Sequence, residues 1–475
     1  MKMEDNYIIR DKMEEECGIF AAYSNDVRDD LMGIGYYGLY ALQHRGQESA
    51  GITISNNGIF ETIKGMGLVS EVFLEKDLKN NKGNAIIAHV RYSTTGSSSI
   101  MNAQPLGGYS KLGQLSIAHN GNLVNTNEIK KQLENESAVF QTTTDTEVIL
   151  NLLARYSTNG IKDSVIKTMK TIKGSFALVM LVDNKLIGVR DPHGIRPLCL
   201  GQRKDGMYFL SSETCALDTV DAKFIRDIEA GEIVIIDSNG VESVKYAENT
   251  HKAPCSFEYI YFARPDTKID GIDVYSVRHE TGKYLYRQNP IEADVVIGVP
   301  DSGIPAAIGY SEESKIPYGI GLVKNKYIGR TFISPTQELR EKAVKVKLNP
   351  IKKVVEGKRV VVIDDSLVRG TTSKKLIKML REAGAKEIHF RSASPIVKNE
   401  CYFGIDIATK KELIGNEMTI EQIRKKIDAD SLDYLSLENL RKTLGGNNFC
   451  MGCFTGKYPI NEVENLSLEE LNDNL

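Results

Sequence analysis

A β-branched apolar run that ends in two acids, Lys358-Arg359-Val360-Val361-Val362-Ile363-Asp364-Asp365, opens directly onto Ser366-Leu367-Val368-Arg369-Gly370-Thr371-Thr372-Ser373. The run reads as a strand. The residues after it place Leu376, Ile377 and Leu380 at helical spacing, and Lys386 to Phe390 begins another strand. Strand, helix and strand in that order make a βαβ unit, which commits this part of the chain to a parallel sheet. In such sheets ligands collect beyond the carboxyl ends of the strands, and anions sit at helix N-termini. Gly370 with Thr371, Thr372 and Ser373, beside Arg369, suits a 5′-phosphate cradle. Asp364 and Asp365 suit ribose hydroxyls or a magnesium-bound diphosphate. A generic strand-to-helix loop with capping acids would look similar. A Walker A loop is excluded, because no G-x-x-x-x-G-K-[ST] occurs.

A second strand and loop, Val295 to Pro305, sets Ser302 between Asp301 and Gly303. That hydroxyl can reach a metal or phosphate, and the glycine permits close backbone approach. Between the two loops, Lys324 to Phe332 and the charged residues to Lys347 form a basic, poorly periodic stretch that reads as a solvated loop.

The 475 residues correspond to about three domains of roughly 150 residues, or two larger ones. Hydrophobic residues at 41% and charged residues at 26% describe an ordinary globular enzyme and argue against disorder. Sixty Lys and Arg against 63 Asp and Glu give a net charge of −3, against the basic footprint of a nucleic-acid binder. The longest apolar run, Phe176 to Val182, is far short of the roughly 20 residues of a membrane span. Seven cysteines are too few for a secreted disulfide scaffold, so a cytoplasmic protein is expected.

Residues 1–16 lack the apolar core of a secretory signal and carry too many acids for a transit peptide. They read as a disordered leader. At Cys17 the chain turns apolar (Cys17-Gly18-Ile19-Phe20-Ala21-Ala22-Tyr23), as in a buried strand. Cys17 is then either a small core residue or, after cleavage behind Glu16, an N-terminal nucleophile whose own α-amino group is the base. Four further segments follow. Tyr40 to Gly51 ends a helix-like stretch in a polar cluster containing Arg45. Ala85 to Val90 is a strand that delivers Arg91 and a hydroxyl-rich loop, Ser93 to Gly96. Ile117 to Leu123 runs into an expected Asn-Gly turn at Asn120 and Gly121, where N–H groups can face an anion. Thr143 to Glu147 precedes an apolar-periodic helix as a possible N-cap.

Together these segments resemble the class II glutamine amidotransferases from Cys17 to about Asp237. The resemblance implies that Cys17 attacks the glutamine amide, with Arg91 on the α-carboxylate, Asp145 on the α-ammonium, and the Asn120 side chain and Gly121 N–H as oxyanion donors. These residue types answer the chemistry, since a carboxylate, an ammonium and a developing oxyanion each need an opposite charge or a donor already in place. Arg45, on a loop that covers this site in the family, is a further substrate-binding candidate. The run VVVIDDSLVRGTTS likewise resembles the fingerprint of type I phosphoribosyltransferases, Ser302 lies in what resembles their diphosphate loop, and 324–347 resembles their lid. By this resemblance Ser302, Asp364 and Asp365 hold magnesium, and Arg369 to Ser373 hold the donor's 5′-phosphate.

A chain that joins these two domains resembles one family, which the junction Phe257 to Asp266 also matches. The expected fold is an N-terminal-nucleophile (Ntn) hydrolase α-β-β-α sandwich followed by a type I phosphoribosyltransferase parallel sheet, α+β then α/β. The expected parts are a propeptide (1–16), a glutaminase (17–250) and a transferase with a C-terminal tail (251–475). The implied reaction, first in purine synthesis, converts glutamine, phosphoribosyl diphosphate and water to 5-phosphoribosylamine, diphosphate and glutamate. The rivals are another class II amidotransferase, or a non-catalytic sensor of phosphoribosyl diphosphate, which would have no need of the Cys17 set.

Cys450 and Cys453 form a C-x-x-C pair, with Cys255 and Cys401 isolated upstream. Four thiolates can bind zinc or an iron–sulfur cluster, and spacing alone does not choose. One branch of the family carries a [4Fe–4S] cluster and a cleaved propeptide, and the resemblance assigns Cys255, Cys401, Cys450 and Cys453 to that cluster. Cys199 and Cys215 remain as core cysteines. The resemblance further implies a homotetramer inhibited by purine nucleotides, with no nucleic-acid or membrane partner.

Overall fold

The computed structural model describes residues 17–92, 98–248, 251–325, 348–405, 407, 410–460 and 463. The expected propeptide, the Ser93–Gly96 loop and most of the expected lid lie outside the described residues.

Two antiparallel sheets form the N-terminal half. One runs Lys223–Asp227, Cys199–Gln202, Tyr208–Ser211, Gly18–Arg28, Gly83–Arg91, Ser49–Asn56 and Ile59–Met66 in spatial order. The other runs Gly240–Lys245, Glu232–Asp237, Lys185–Arg190, Gly174–Val182, Gly113–Leu123 and Leu106–Ser110. Period-two alternation explains the stacking. Ile19, Ala21 and Tyr23 point between the sheets together with Ala177, Val179 and Leu181. Phe20 and Ala22 point outward, under the helix Leu31–Ala41, and Phe176, Leu178 and Met180 under the helices Asp145–Arg155 and Ile161–Thr171. The result is four layers, helix, sheet, sheet, helix. Strands with both faces covered must be apolar throughout, which is why Phe176 to Val182 read as one long run. Cys199 and Cys215 are buried in the outer core, as expected.

In the C-terminal half, Val295–Gly298, Arg359–Asp364, Glu387–Ser392 and Ser431–Tyr434 make a four-stranded parallel sheet in that order. Val360 and Val362 face one side of it, Val361 and Ile363 the other. Tyr318 bridges to Val296 on the free side of the first strand. Chain order therefore reverses between Val295–Gly298 and Arg359–Asp364, and such a reversal opens a crevice beyond the strand ends. The two halves share a core: Val124 and Ile195 of the first pack with Phe257, Tyr259, Phe403 and Phe454 of the second. Among the described residues no helix is long and apolar enough to cross a membrane.

One expectation is corrected. Asn120 and Gly121 do not form a turn: the strand Gly113–Leu123 continues through them, pairing Asn120 with Ala177, Gly121 with Phe176 and Asn122 with Ser175. The ladder keeps them extended because Gly121 takes φ +144°, and a Cβ there would overlap the Ser175 carbonyl.

Candidate active sites

The antiparallel register of Gly18 with Val90 sets the start of one strand beside the end of the other, which brings Cys17 next to Arg91. The Cys17 Sγ lies 3.7 Å from the Tyr92 carbonyl. Burial pushes the thiol up to about 12, Arg91 and Arg45 pull it down, and Asp145 and Glu48 push it further up. At neutral pH it is a protonated thiol that needs a base. The Arg91 Nη1 reaches the Glu48 carboxylate at 2.8 Å.

Asp145 opens the helix Asp145–Arg155, but Thr144 makes no side-chain cap there. Its own carboxylate instead accepts the Leu123 N–H at 3.0 Å and lies 3.4 Å from the His119 Nδ1. Burial alone would raise its pKa, yet His119 and the Leu123 and Thr146 donors hold it below the ordinary carboxylate value. His89, which burial keeps neutral by lowering it to about 3, donates Nε2–H to the His119 carbonyl at 3.0 Å and so ties the two sheets beside Asn120. Asn120 is 1% exposed, and its Nδ2 has no hydrogen-bond partner among the described residues.

Arg45 sits in the 3₁₀ turn Gln43–Arg45, fully buried, with its guanidinium between two carboxylates. Nε is 3.0 Å from Glu213 and Nη1 3.2 Å from Glu258. Glu213 also lies 2.7 Å from the His44 Nε2 and accepts from the Thr267 hydroxyl at 2.7 Å and the Arg264 N–H at 2.9 Å; His44, Arg45 and the Thr267 hydroxyl hold its carboxyl well below the usual range against the effect of burial. Arg45 is thus a strut between the halves. Removing one of the two carboxylates leaves the buried guanidinium with Glu213 alone, so Glu258→Gln is expected to cost about 3 kcal/mol, the low end for a broken buried pair. A urea denaturation midpoint equal to that of the wild type would contradict this.

In the crevice of the parallel sheet, Asp364 closes the strand Arg359–Asp364 and both acids are buried. Asp365 accepts hydrogen bonds from the Ser302 hydroxyl and, at 2.7 Å, from the Ser366 hydroxyl. The two sequence-predicted loops therefore meet. Gly370, at φ +80°, turns the chain into the helix Thr371–Glu382, so the hydroxyls of Thr371, Thr372 and Ser373 occupy its first turn and the two acids do not cap it. The Arg369 Nη2 reaches Glu412 at 3.1 Å, and Lys324 reaches Asp301 at 2.9 Å.

The four cysteines come from three segments into one core, Cys255 and Cys453 buried with Cys401 and Cys450 packed against them. Cys255 and Cys450 pair as an isolated bridge. All four are free thiols. Among the described residues no group of three or more His, Cys, Asp or Glu is arranged to hold a metal ion. Sequence reasoning missed Glu48, His119, Glu213 and Glu258. The first two stand inside segments already singled out, Tyr40 to Gly51 and Ile117 to Leu123, and Glu258 inside the junction Phe257 to Asp266, whereas Glu213 carries no local signal.

Comparison with known proteins accords with both halves. A glutamine amidotransferase domain matches residues 89–219, and a phosphoribosyl transferase domain residues 281–414. The chain is 47% identical over 454 residues to the amidophosphoribosyltransferase of Bacillus subtilis, covering 94% of each chain, and 49% identical over 450 residues to that of Archaeoglobus fulgidus, covering 94% and 98%. The chain belongs to the amidophosphoribosyltransferase family. A solved structure of the Bacillus subtilis glutamine phosphoribosylpyrophosphate amidotransferase, complexed with ADP and GMP, superposes with a TM-score of 0.90 at 46% identity, covering 96% of this chain and all of that one. As an amidophosphoribosyltransferase the chain is a glycosyltransferase that makes 5-phosphoribosylamine, diphosphate and glutamate from phosphoribosyl diphosphate, glutamine and water, the first step of purine biosynthesis.

Proposed function

We propose that the reaction is divided between two sites: Cys17 splits glutamine in a glutaminase of residues 17–250, and the ammonia released attacks C1 of phosphoribosyl diphosphate in the transferase half, 251–475. The observation that carries this reading is the buried Asn120 Nδ2, which has no partner among the described residues. A buried donor left unpaired is costly, and a developing oxyanion repays it. In the proposed sequence the Cys17 thiol passes its proton to its own α-amino group and the thiolate adds to the side-chain carbon of glutamine. The oxyanion is held by Asn120 and the Gly121 N–H. Its collapse breaks the C–N bond, and the amine leaves as ammonia with the proton from the ammonium. Water then hydrolyses the thioester to glutamate. Arg91 and Asp145 clamp the substrate's α-carboxylate and α-ammonium. In the precursor that α-nitrogen is an amide and cannot accept a proton, so removal of residues 1–16 is required. Intact-mass measurement should find the active chain starting at Cys17; an active chain retaining Met1 to Glu16 would defeat the scheme.

In the transferase half, Asp364, Asp365 and Ser302 present the hard oxygen donors magnesium prefers. That ion is held largely by substrate phosphates, so a dedicated protein cage is unnecessary. Magnesium would neutralise the departing diphosphate. Arg369 and the Gly370–Ser373 turn would hold the 5′-phosphate. Purine nucleotides are proposed as feedback inhibitors, on the strength of the relative solved with ADP and GMP, and a cytoplasmic homotetramer is the proposed form.

For the cysteines, the fit to a [4Fe–4S] cluster rests on four free, neighbouring thiols, two buried and two half-buried. Each has its pKa raised by burial, Cys450 to about 12, so only a bound cation would make them thiolates. An iron–sulfur cluster takes one thiolate per iron and so needs no three ligands around a single ion. Cys401→Ser should lose iron and much of the folded protein, because the ligands come from distant segments and metal binding is coupled to folding. A stable, fully active, iron-free Cys401→Ser protein would remove the cluster from the account.

A further inference from the structure

Immediately after Cys401, three residues of the transferase half lie against the glutaminase strand that carries Asn120 and Gly121. The Asn122 Nδ2 donates to the Tyr402 carbonyl at 3.0 Å. The Ser175 hydroxyl donates to the Phe403 carbonyl at 2.8 Å, and the Arg196 guanidinium donates to the same oxygen. Ser175 is the ladder partner of Asn122, and its hydroxyl also accepts the Asn122 N–H at 3.4 Å. Gly404, at φ +90°, lies flat on Gly121: a Cβ at 404 would stand 3.1 Å from the Gly121 carbonyl carbon and 3.2 Å from both the Gly121 oxygen and the Arg196 Nη2. Every polar partner on the glutaminase side is buried.

We propose that the Tyr402-Phe403-Gly404 backbone is a positioning element for the glutaminase, holding the oxyanion donors at Asn120 and Gly121 from the other half of the molecule. The proposal rests on the reading of those two residues as the donors. Gly121 has no side chain to anchor it, and its φ lies where the backbone has little intrinsic preference for one setting. What fixes its peptide plane is the ladder to Phe176 on one side and the Gly404 contact on the other. Ser175 joins the two by bonding both Asn122 and Phe403. An oxyanion hole acts only when its donors are in place before charge develops, and a displacement of about 1 Å can cost on the order of 10²-fold in rate. A contact that merely glued the halves together would alter stability and leave glutaminase kcat alone.

The test uses the processed full-length enzyme and three variants: Ser175→Ala, Gly404→Ala and, as reference, Asn120→Ala. Measured are kcat and KM for glutamine hydrolysis, ammonium-dependent formation of 5-phosphoribosylamine, and iron content. Ser175→Ala and Gly404→Ala are each expected to lose about tenfold in glutaminase kcat, since a Cβ at 404 requires Gly121 to give by a few tenths of an ångström. KM for glutamine, the ammonium-dependent rate and iron content should stay at wild-type values. Ser175→Thr, which restores a hydroxyl, should recover the Ser175→Ala loss. The proposal is overturned if both variants hydrolyse glutamine at the wild-type kcat, or if glutamine- and ammonium-dependent rates fall together. Should Gly404→Ala not fold, Ser175→Ala decides alone. An undiminished Asn120→Ala would instead overturn the assignment of the donors themselves.

Discussion

Cys17→Ala will release no glutamate from glutamine, yet it will still make 5-phosphoribosylamine from ammonium. The substitution removes the one nucleophile the scheme provides, so the glutamine amide has no thiolate to attack it. It leaves untouched the crevice some 350 residues further along the chain, where Ser302 bonds Asp365 and Gly370 turns into its helix. Because ammonia, rather than ammonium, attacks C1, the bypass rate should climb as pH rises and the ion gives up its proton. The assay is diphosphate release with glutamine and then with ammonium. If ammonium fails to rescue a folded Cys17→Ala protein that still binds phosphoribosyl diphosphate, ammonia is not a free intermediate and the two-site scheme falls.

Asp365→Asn should do the opposite and fail with either nitrogen source. The buried side chain of Asp365 accepts hydrogen bonds from the Ser302 and Ser366 hydroxyls, which fixes it where the two loops meet. An amide of the same shape keeps some of these bonds but lacks the charge that the proposed scheme sets against the donor sugar or its magnesium. One charge-assisted contact is worth about 1–3 kcal/mol, roughly 5- to 150-fold, and the loss is larger if the metal leaves with it. Glutamine hydrolysis measured alone should persist. A variant that made 5-phosphoribosylamine at the wild-type rate would remove Asp365 from the donor site.

These two experiments probe residues that were legible in the primary structure. Cys17, Arg91, Asn120, Asp145 and the Asp364 to Ser373 run each stand in a short contiguous segment, and the order of those segments, through resemblance, is what proposes their roles. Strand periodicity was legible from the residues themselves, since Phe20 with Ala22 and Ile19 with Ala21 divide between two cores by a rule that acts on successive residues. Both halves, their order and the reaction therefore followed from local pattern and from resemblance.

Tertiary structure decided what local pattern does not encode. Asn-Gly is a strong turn signal, but the neighbouring strand Gly174–Val182 offered ladder partners, and the dipeptide stayed extended. Arg45 stood in a motif that suggested substrate, yet two acids more than 160 residues away in sequence enclose its guanidinium. Asp145 could have capped its own helix and turns instead to His119 and Leu123. The seat of Gly121 on Gly404 joins residues that no spacing rule relates. The physical reason is common to all four. A motif specifies which groups a segment brings, whereas burial specifies which distant groups must satisfy them, and that second choice is made only when the two halves close on one core.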